Sequence, residues 1–452
     1  MNKKVMKMAG SGLLALAIAF LFACGKEDEQ PDNPGTTGGV KSITHPCMLH
    51  TEADFAFVKS KVQAGEQPWA NAFAHLEANK HAQSSWQASP VKKLARLDAG
   101  NWATIDRWIR EGIEEDWYNG IHSNYTQLMY DAASAYALAV RWKISGNSAY
   151  AATGVKILND WAKTCTGYIV NKSGALIDPN ENLMAIQVYQ LANAAEILRD
   201  FSGWSSADFE AYKKWIADVF YKHASSFLQA KSGCAMHYWL NWDLAQMTAI
   251  LSIGILTDDE YKINEAIKYF QRGLGTGNIN NAVPFVHQDP DSNELLGQSN
   301  ESGRDQGHAT LCVSLMGAFC QMAKNIGEDL FIHDNARALA MCEYTAKYNI
   351  GTTENNNMAV NFKYEVPFTP YTNCEYSHPA ISNSGRGTVR PAWELILRLA
   401  SDYGKSAIYS QEWVTLMRQN AARGNSDGGQ GDYGSNSGGY DQLGFGTLMF
   451  AK

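Results

Sequence analysis

Gly303-Arg304-Asp305-Gln306-Gly307-His308-Ala309-Thr310-Leu311-Cys312-Val313-Ser314-Leu315-Met316-Gly317-Ala318-Phe319 passes without a break from polar, chemically capable residues into an apolar run. The run reads as a buried helix. Ser302 and Asn300 stand where they can cap it, which sets Arg304 and His308 one turn apart on one face near its start. A guanidinium held beside an imidazole suits chemistry on a carboxylate: Arg pairs with it bidentately, and His moves protons near neutral pH. The same residues also read as an internal salt bridge from Arg304 to Glu301 or Asp305, with His308 satisfied in a core.

Working outward, the helical pattern recurs. His50 to Ala64 opens with Thr51-Glu52-Ala53-Asp54, a cap followed by amphipathic spacing. Tyr125 to Ile144 is apolar and Ser148 to Trp161 more polar; Asn182 to Arg199 is apolar and Ser206 to Leu228 amphipathic. Asn241 to Leu256 pairs in the same way with Asp258 to Leu274, and Arg304 to Asn325 with Asn335 to Tyr348. Pro391 to Ser401 and Tyr409 to Arg423 follow. Apolar helix, short turn, amphipathic helix: the alternation predicts an inner and an outer ring. The expected fold is all-α, an (α/α) toroid of six or seven helical hairpins, with a small ribbon near Ala359 to Val366. An open helical solenoid is the alternative.

At the N-terminus Lys3, Lys4 and Lys7 precede the apolar stretch Leu13 to Phe22, too short for a spanning helix. It ends in Leu21-Phe22-Ala23-Cys24, which resembles a bacterial lipoprotein signal. Residues 1–23 are read as that signal, with Cys24 the lipidated first residue. Residues 24–44, acidic and rich in Pro, Gly and Thr, are read as a flexible tether, and 45–452 as the catalytic toroid. The acidic run after the cysteine resembles surface-export signals of gut Bacteroidota lipoproteins. That implies a lipid anchor in the outer membrane or periplasm of a Gram-negative cell, or on its surface, as the sole membrane contact.

The formal net charge is −8, which argues against nucleic acid as a partner. The 13 Trp and 21 Tyr suit a cleft that stacks rings on sugars, although aromatics are also ordinary core residues. Apart from Cys24 there are seven cysteines, none in CxxC spacing, so neither a zinc ribbon nor a full disulfide framework is expected. His287-Gln288-Asp289-Pro290-Asp291 reads as a turn before a cation site. No metal and no cofactor are expected.

In a toroid the inner helices run one way, so their starts converge on one cavity. His122-Ser123-Asn124-Tyr125, Asn180-Glu181-Asn182, His237-Tyr238-Trp239-Leu240-Asn241-Trp242, Glu301 to His308, and Arg386 with Arg390 all stand at such starts. Each set alone is ordinary capping chemistry. Together they predict a polar, aromatic-lined pocket with positive helix ends facing an anion.

Three of these stretches carry a resemblance: Asn241-Trp242, Gly303 to His308, and Gly385-Arg386-Gly387-Thr388-Val389-Arg390-Pro391-Ala392-Trp393-Glu394. With His45-Pro46-Cys47-Met48-Leu49-His50-Thr51-Glu52, where relatives usually have Gly at the position of Cys47, they resemble the alginate lyase superfamily over residues 45 to 450. Polysaccharide lyase family 38 of Bacteroidota is the most similar subgroup. The resemblance implies β-elimination on an acidic uronan, with alginate rich in mannuronate expected first and glucuronan as the alternative. Many alginate lyases have an Asn-His pair where this chain has Asn241-Trp242. Asn241 keeps the carboxylate-holding role, and the base passes to His237, His308 or a tyrosine.

The chemistry follows from the substrate. Arg and amide donors stabilise the enolate-like intermediate, a base removes the C5 proton, and an acid protonates the departing O4. One tyrosine can do both on mannuronate, where the two groups share a face. Tyr371 is expected as the acid, ahead of Tyr364, Tyr238 and Tyr125. Arg304, His308, Asn241 and His237 complete the expected catalytic set, and Tyr125, Tyr238, Trp242, Tyr364, Arg386 and Arg390 are expected to bind substrate. A glycoside hydrolase would need Glu301 and Asp305 free as its two carboxylates. A glycan-binding lipoprotein would need only the aromatics.

Overall fold

Apolar residues wrap the whole circumference of some helices and a single stripe of their successors, and this sorts them into two rings. The computed structural model describes residues 43–97, 123–170, 174–230, 233–355 and 358–452. The chain divides into units 1–39 and 40–452, and everything below concerns the second. The signal-like segment, Cys24, most of the tether and His122 lie outside the described residues.

The principal helices are α1 (Glu52–Gln63), α2 (Trp69–Ala78), α3 (Tyr125–Ser145), α4 (Ser148–Thr164), α5 (Ala185–Leu198), α6 (Ser206–Ile216), α7 (Lys222–Gln229), α8 (Leu240–Leu256), α9 (Glu260–Arg272), α10 (Gln306–Asn325), α11 (His333–Asn349), α12 (Trp393–Asp402) and α13 (Ile408–Met417). A short closing helix, α14 (Gly446–Met449), follows. Among the described residues they form six hairpins, and α3, α5, α8, α10 and α12 pack in succession as the inner ring. Near the chain end α14 touches both α1 and α12.

Helix α5 is buried at every position and α8 at all but one, whereas α9 buries only Ile263, Ala266, Ile267 and Phe270, the spacing of a single stripe. Gly254 lets that stripe close on α8: a Cβ there would lie 2.9 Å from Ile263. Where continuous helix is expected from Ser206 to Leu228, a π-helical turn at Ala217–Tyr221 separates α6 from α7. Helix α2 has no counterpart in the sequence expectation. Instead of one ribbon there are, among the described residues, three antiparallel pairs, β1 (Phe285–Gln288) with β2 (Leu295–Gln298), β3 (Thr352–Asn355) with β4 (Met358–Val360), and β5 (Tyr371–Thr372) with β6 (Ser377–His378). Among the described residues no helix is long and apolar enough to cross a membrane.

Hydrogen bonds fix the polarity of the ring. At one end Gln246 of α8 donates to the Asn182 carbonyl before α5, and the Asn241 amide donates to Glu301 before α10. At the other end the segment 45–51 crosses the helix ends. The Leu49 amide donates to Asn193, Asn325 donates to the Met48 carbonyl, and His45 meets both Glu196 and Asp258. The inner helices therefore start at a common mouth and end on a common floor.

Candidate active site

Asp305, not Ser302 or Asn300, caps α10: its carboxylate accepts from the His308 amide at 2.8 Å. The helix begins at Gln306, so Arg304 lies just ahead of it and only His308 of the pair is within its first turn. Asp gains over Ser here because its second oxygen is free for another partner. That oxygen meets His308 Nδ1 at 2.6 Å and stands 3.6 Å from Arg304 Nε. The cap and the orientation of the imidazole are thus one interaction.

Arg304 is held from several sides. Nη1 donates to Asn241 Oδ1 at 3.3 Å and to Glu301 Oε2 at 3.2 Å, and Nη2 approaches His308 Nε2 at 3.3 Å. Its guanidinium carbon lies 4.8 Å from the Trp239 ring. Glu301 is fully buried; desolvation pushes its carboxyl upward, and Arg304 opposes that. Its other oxygen takes the Asn241 amide, so one carboxylate ties the starts of α8 and α10 together. Neither Glu301, wholly buried, nor Asp305, committed to the cap and the imidazole, is placed as one of a pair of hydrolytic carboxylates.

Around Arg304 stands an aromatic wall that sequence reading missed. Trp239 and Tyr376 stack 3.8 Å apart at 15°, and His378 lies 5.3 Å from each ring. Tyr376 and His378 belong to the β5–β6 hairpin, which the Cys234–Cys374 disulfide fastens to the segment leading into α8. Burial raises the Tyr376 phenol well above its usual range, with Arg304 drawing it down. Burial and then the Arg304 charge lower His378 and favour its neutral form; its Nε2 has no hydrogen-bond partner among the described residues. A second group gathers where Arg390 donates to Gln442 and the Gly438 carbonyl and stands 3.6 Å from Asp441. Burial raises the Asp441 carboxyl, the nearby Arg390, Arg96 and His308 oppose that, and Arg96 packs over Tyr125 at 4.7 Å.

The structure therefore brings together Asn241, Arg304 and His308, with Arg390 and Tyr125 in the neighbouring group. The other expected residues are engaged elsewhere. Tyr371 directs its hydroxyl at Met236 Sδ, 3.6 Å away, and meets Tyr376 at a tilt of 56°, 6.1 Å between ring centres. His237 is exposed and paired with Glu375 at 3.2 Å. Tyr238 and Trp242 pack with Phe227 of α7. Tyr364 bonds Glu412, and Arg386 is spent on the Tyr348 and Tyr364 carbonyls and Glu365. Asp289 and Asp291 are both taken by Lys347. Trp239 had a signal in the sequence, its place at the N-cap of α8, where extended backbone turns a side chain away from the helix face. Tyr376 had none, because its position depends on a pairing of distant cysteines.

No curated protein matches the sequence. Among solved structures, the chain is similar to an alginate lyase from Bacteroides ovatus, with 13% identity, a TM-score of 0.43 and coverage of 88% of this chain and 99% of that one. It is also similar to alginate lyase A1-III from Sphingomonas species A1, with 16% identity, a TM-score of 0.44 and coverage of 67% and 82%. A variant of A1-III complexed with a tetrasaccharide matches at 14% identity, a TM-score of 0.44 and coverage of 67% and 79%. The family model described as alginate lyase matches residues 78–356, more than half of the chain. The chain belongs to the alginate lyase family, and it is a polysaccharide lyase.

Proposed function

We propose that this lyase cleaves alginate, preferring mannuronate-rich chains, by β-elimination. The observation that carries the reading is the grip of Asn241, Glu301, Asp305 and His308 on one guanidinium. With Asn241 Oδ1 accepting from Arg304, the amide Nδ2 is the group available to donate to a substrate carboxylate. Arg304 and Asn241 would neutralise the uronate as the C5 proton leaves, its electron pair moving into the carboxylate as an enolate. That pair then forms the C4–C5 double bond, the C4–O4 bond breaks, and an acid protonates O4.

Tyr376 is our first choice for the acid, ahead of Tyr371. What supports it is its stack on Trp239, the ring that also carries the Arg304 guanidinium, whereas the Tyr371 hydroxyl faces a methionine sulfur. On mannuronate the same residue would also take the C5 proton, as a phenolate that burial disfavours and the Arg304 charge favours. On glucuronan, the second reading, a neutral histidine is needed on another face, and His378 joins His308 for that role. We further propose that Cys24 carries the lipid anchor, a reading checked by fatty-acid labelling of the wild-type chain against Cys24→Ala. The enzymatic test is ultraviolet absorbance during incubation with mannuronan, guluronan and glucuronan, because elimination creates an unsaturated uronate. Rising absorbance on mannuronan, lost in Arg304→Ala, is expected. Cleavage of glucuronan alone would overturn the alginate assignment.

A further inference from the structure

On the floor of the toroid three side chains of different type converge. His45 Nδ1 lies 2.6 Å from Glu196 Oε1, and Cys47 Sγ lies 3.7 Å from each of those atoms. Cys47 and Glu196 are buried, and His45 is 15% exposed at its side chain. We propose that His45, Cys47 and Glu196 form a structural zinc site that pins the N-terminal segment across the floor of the ring.

The geometry suits the ion. A tetrahedral zinc holds thiolate sulfur at ~2.3 Å and nitrogen or oxygen at ~2.0–2.2 Å, which separates sulfur from its neighbours by about 3.6 Å and nitrogen from oxygen by about 3.3 Å. The two sulfur separations already match. Only the His45–Glu196 pair must open, by less than an ångström, as the ion replaces the proton they share. Zinc displaces that proton and the thiol proton, both released to solvent, and forms its bonds to Nδ1, Sγ and Oε1. One thiolate and one carboxylate balance the two positive charges.

The surroundings already have the form of a metal-site second layer. His45 Nε2 stands 2.9 Å from Asp258 Oδ1, which would orient the ring once Nδ1 binds metal. Arg199 Nη1 holds Glu196 Oε2 at 2.8 Å, leaving Oε1 for the ion, and the Cys47 amide also points at Oε1 from 2.9 Å. Water reaching the exposed edge of His45 would supply the fourth ligand. The site joins the entry of the chain to the end of α5 and the turn after α8. It stands about one inner-helix length, ~25 Å, from the mouth, so it braces the fold and takes no part in elimination.

Cobalt(II) titrated into the full chain tests the assignment, because a thiolate bound to cobalt gives a strong near-ultraviolet charge-transfer band. The band is expected in the wild type and absent in Cys47→Ser and in His45→Gln. Wild type should also retain about one zinc per chain through dialysis and melt at a higher temperature with zinc than after chelation. Initial rates on alginate should be equal with and without zinc. If either variant does not fold, the other variant and the wild-type measurements still decide. A wild type that neither retains zinc nor shows the band would overturn the site, as would an undiminished band in Cys47→Ser.

Discussion

His308 Nδ1 lies 2.6 Å from Asp305 Oδ2, and this contact decides which nitrogen of the imidazole faces the cleft. With Nδ1–H donating to the Asp305 carboxylate, Nε2 keeps its lone pair toward Arg304. Asp305→Asn separates the two duties of that carboxylate. Asn caps a helix about as well as Asp, so the melting temperature should stay within a few degrees. Control of the ring is lost, and turnover on mannuronan should fall at least about tenfold. An unchanged rate would show that the orientation of His308 does not matter.

Arg304→Ala should lower turnover about 100- to 1,000-fold, the usual scale for removing one preorganised donor from a developing oxyanion. It also leaves Glu301 buried without its cation, so stability should drop with it. Arg304→Ala with Glu301→Gln removes that penalty. The double variant should recover melting temperature and remain inactive, whereas a purely structural role for Arg304 predicts recovery of both.

Tyr376→Phe should abolish elimination on mannuronan with little change in melting temperature, and Tyr371→Phe should cost much less. His378→Ala should affect glucuronan more than mannuronan. Initial rates of ultraviolet absorbance on the two polymers decide the matter. Full activity of Tyr376→Phe would return the acid role to Tyr371.

Cys374→Ser frees the β5–β6 hairpin from the segment before α8, a separation of 140 residues along the chain. The chain-entropy argument gives ~5 kcal/mol as an upper bound on the stability lost. The Trp239–Tyr376 stack should loosen first, because the two rings stand on the two joined segments. The expected result is a fall in kcat with most helical circular dichroism retained.

Acid should weaken the fold in a defined window. Burial lowers His50 to about 4, and burial followed by Lys80 lowers His81 to about 4. Both are therefore neutral in the fold and titrate near 6.5 when unfolded, so the unfolded state binds more protons below 6.5. Stability is full above that pH and is lost as pH falls toward about 4, by a few kcal/mol in all. Urea midpoints between pH 7 and 4 should show this slope, and His81→Gln should flatten it.

The two rings were legible in the sequence because burial differs between them. A helix buried all round, such as α8, carries no polar stripe, and its partner α9 carries a sharp one. Helix α2 escaped notice because its N-cap is Pro68, with no side-chain cap to mark the start. The Arg304 half of the candidate site was legible for a different reason: Arg304, Asp305 and His308 are neighbours in sequence. The aromatic half was not. Tyr238, Trp239 and Trp242 are near neighbours on paper, and only the extended backbone at the helix cap gives Trp239 to Arg304 while the other two pack on Phe227.

Cys47, Cys165, Cys312, Cys320 and Cys342 stay reduced and buried, while Cys234 and Cys374 are joined over the site. Disulfides persist only under oxidising conditions, where an exposed thiol in an unfolded chain is open to wrong partners. The fold must therefore close over these five thiols before an oxidant reaches them, leaving Cys234 and Cys374 to find each other last. Collapse of the toroid acts as a selection step that decides which sulfurs remain available, so a variant that slows collapse should accumulate scrambled disulfides even when its finished fold is sound.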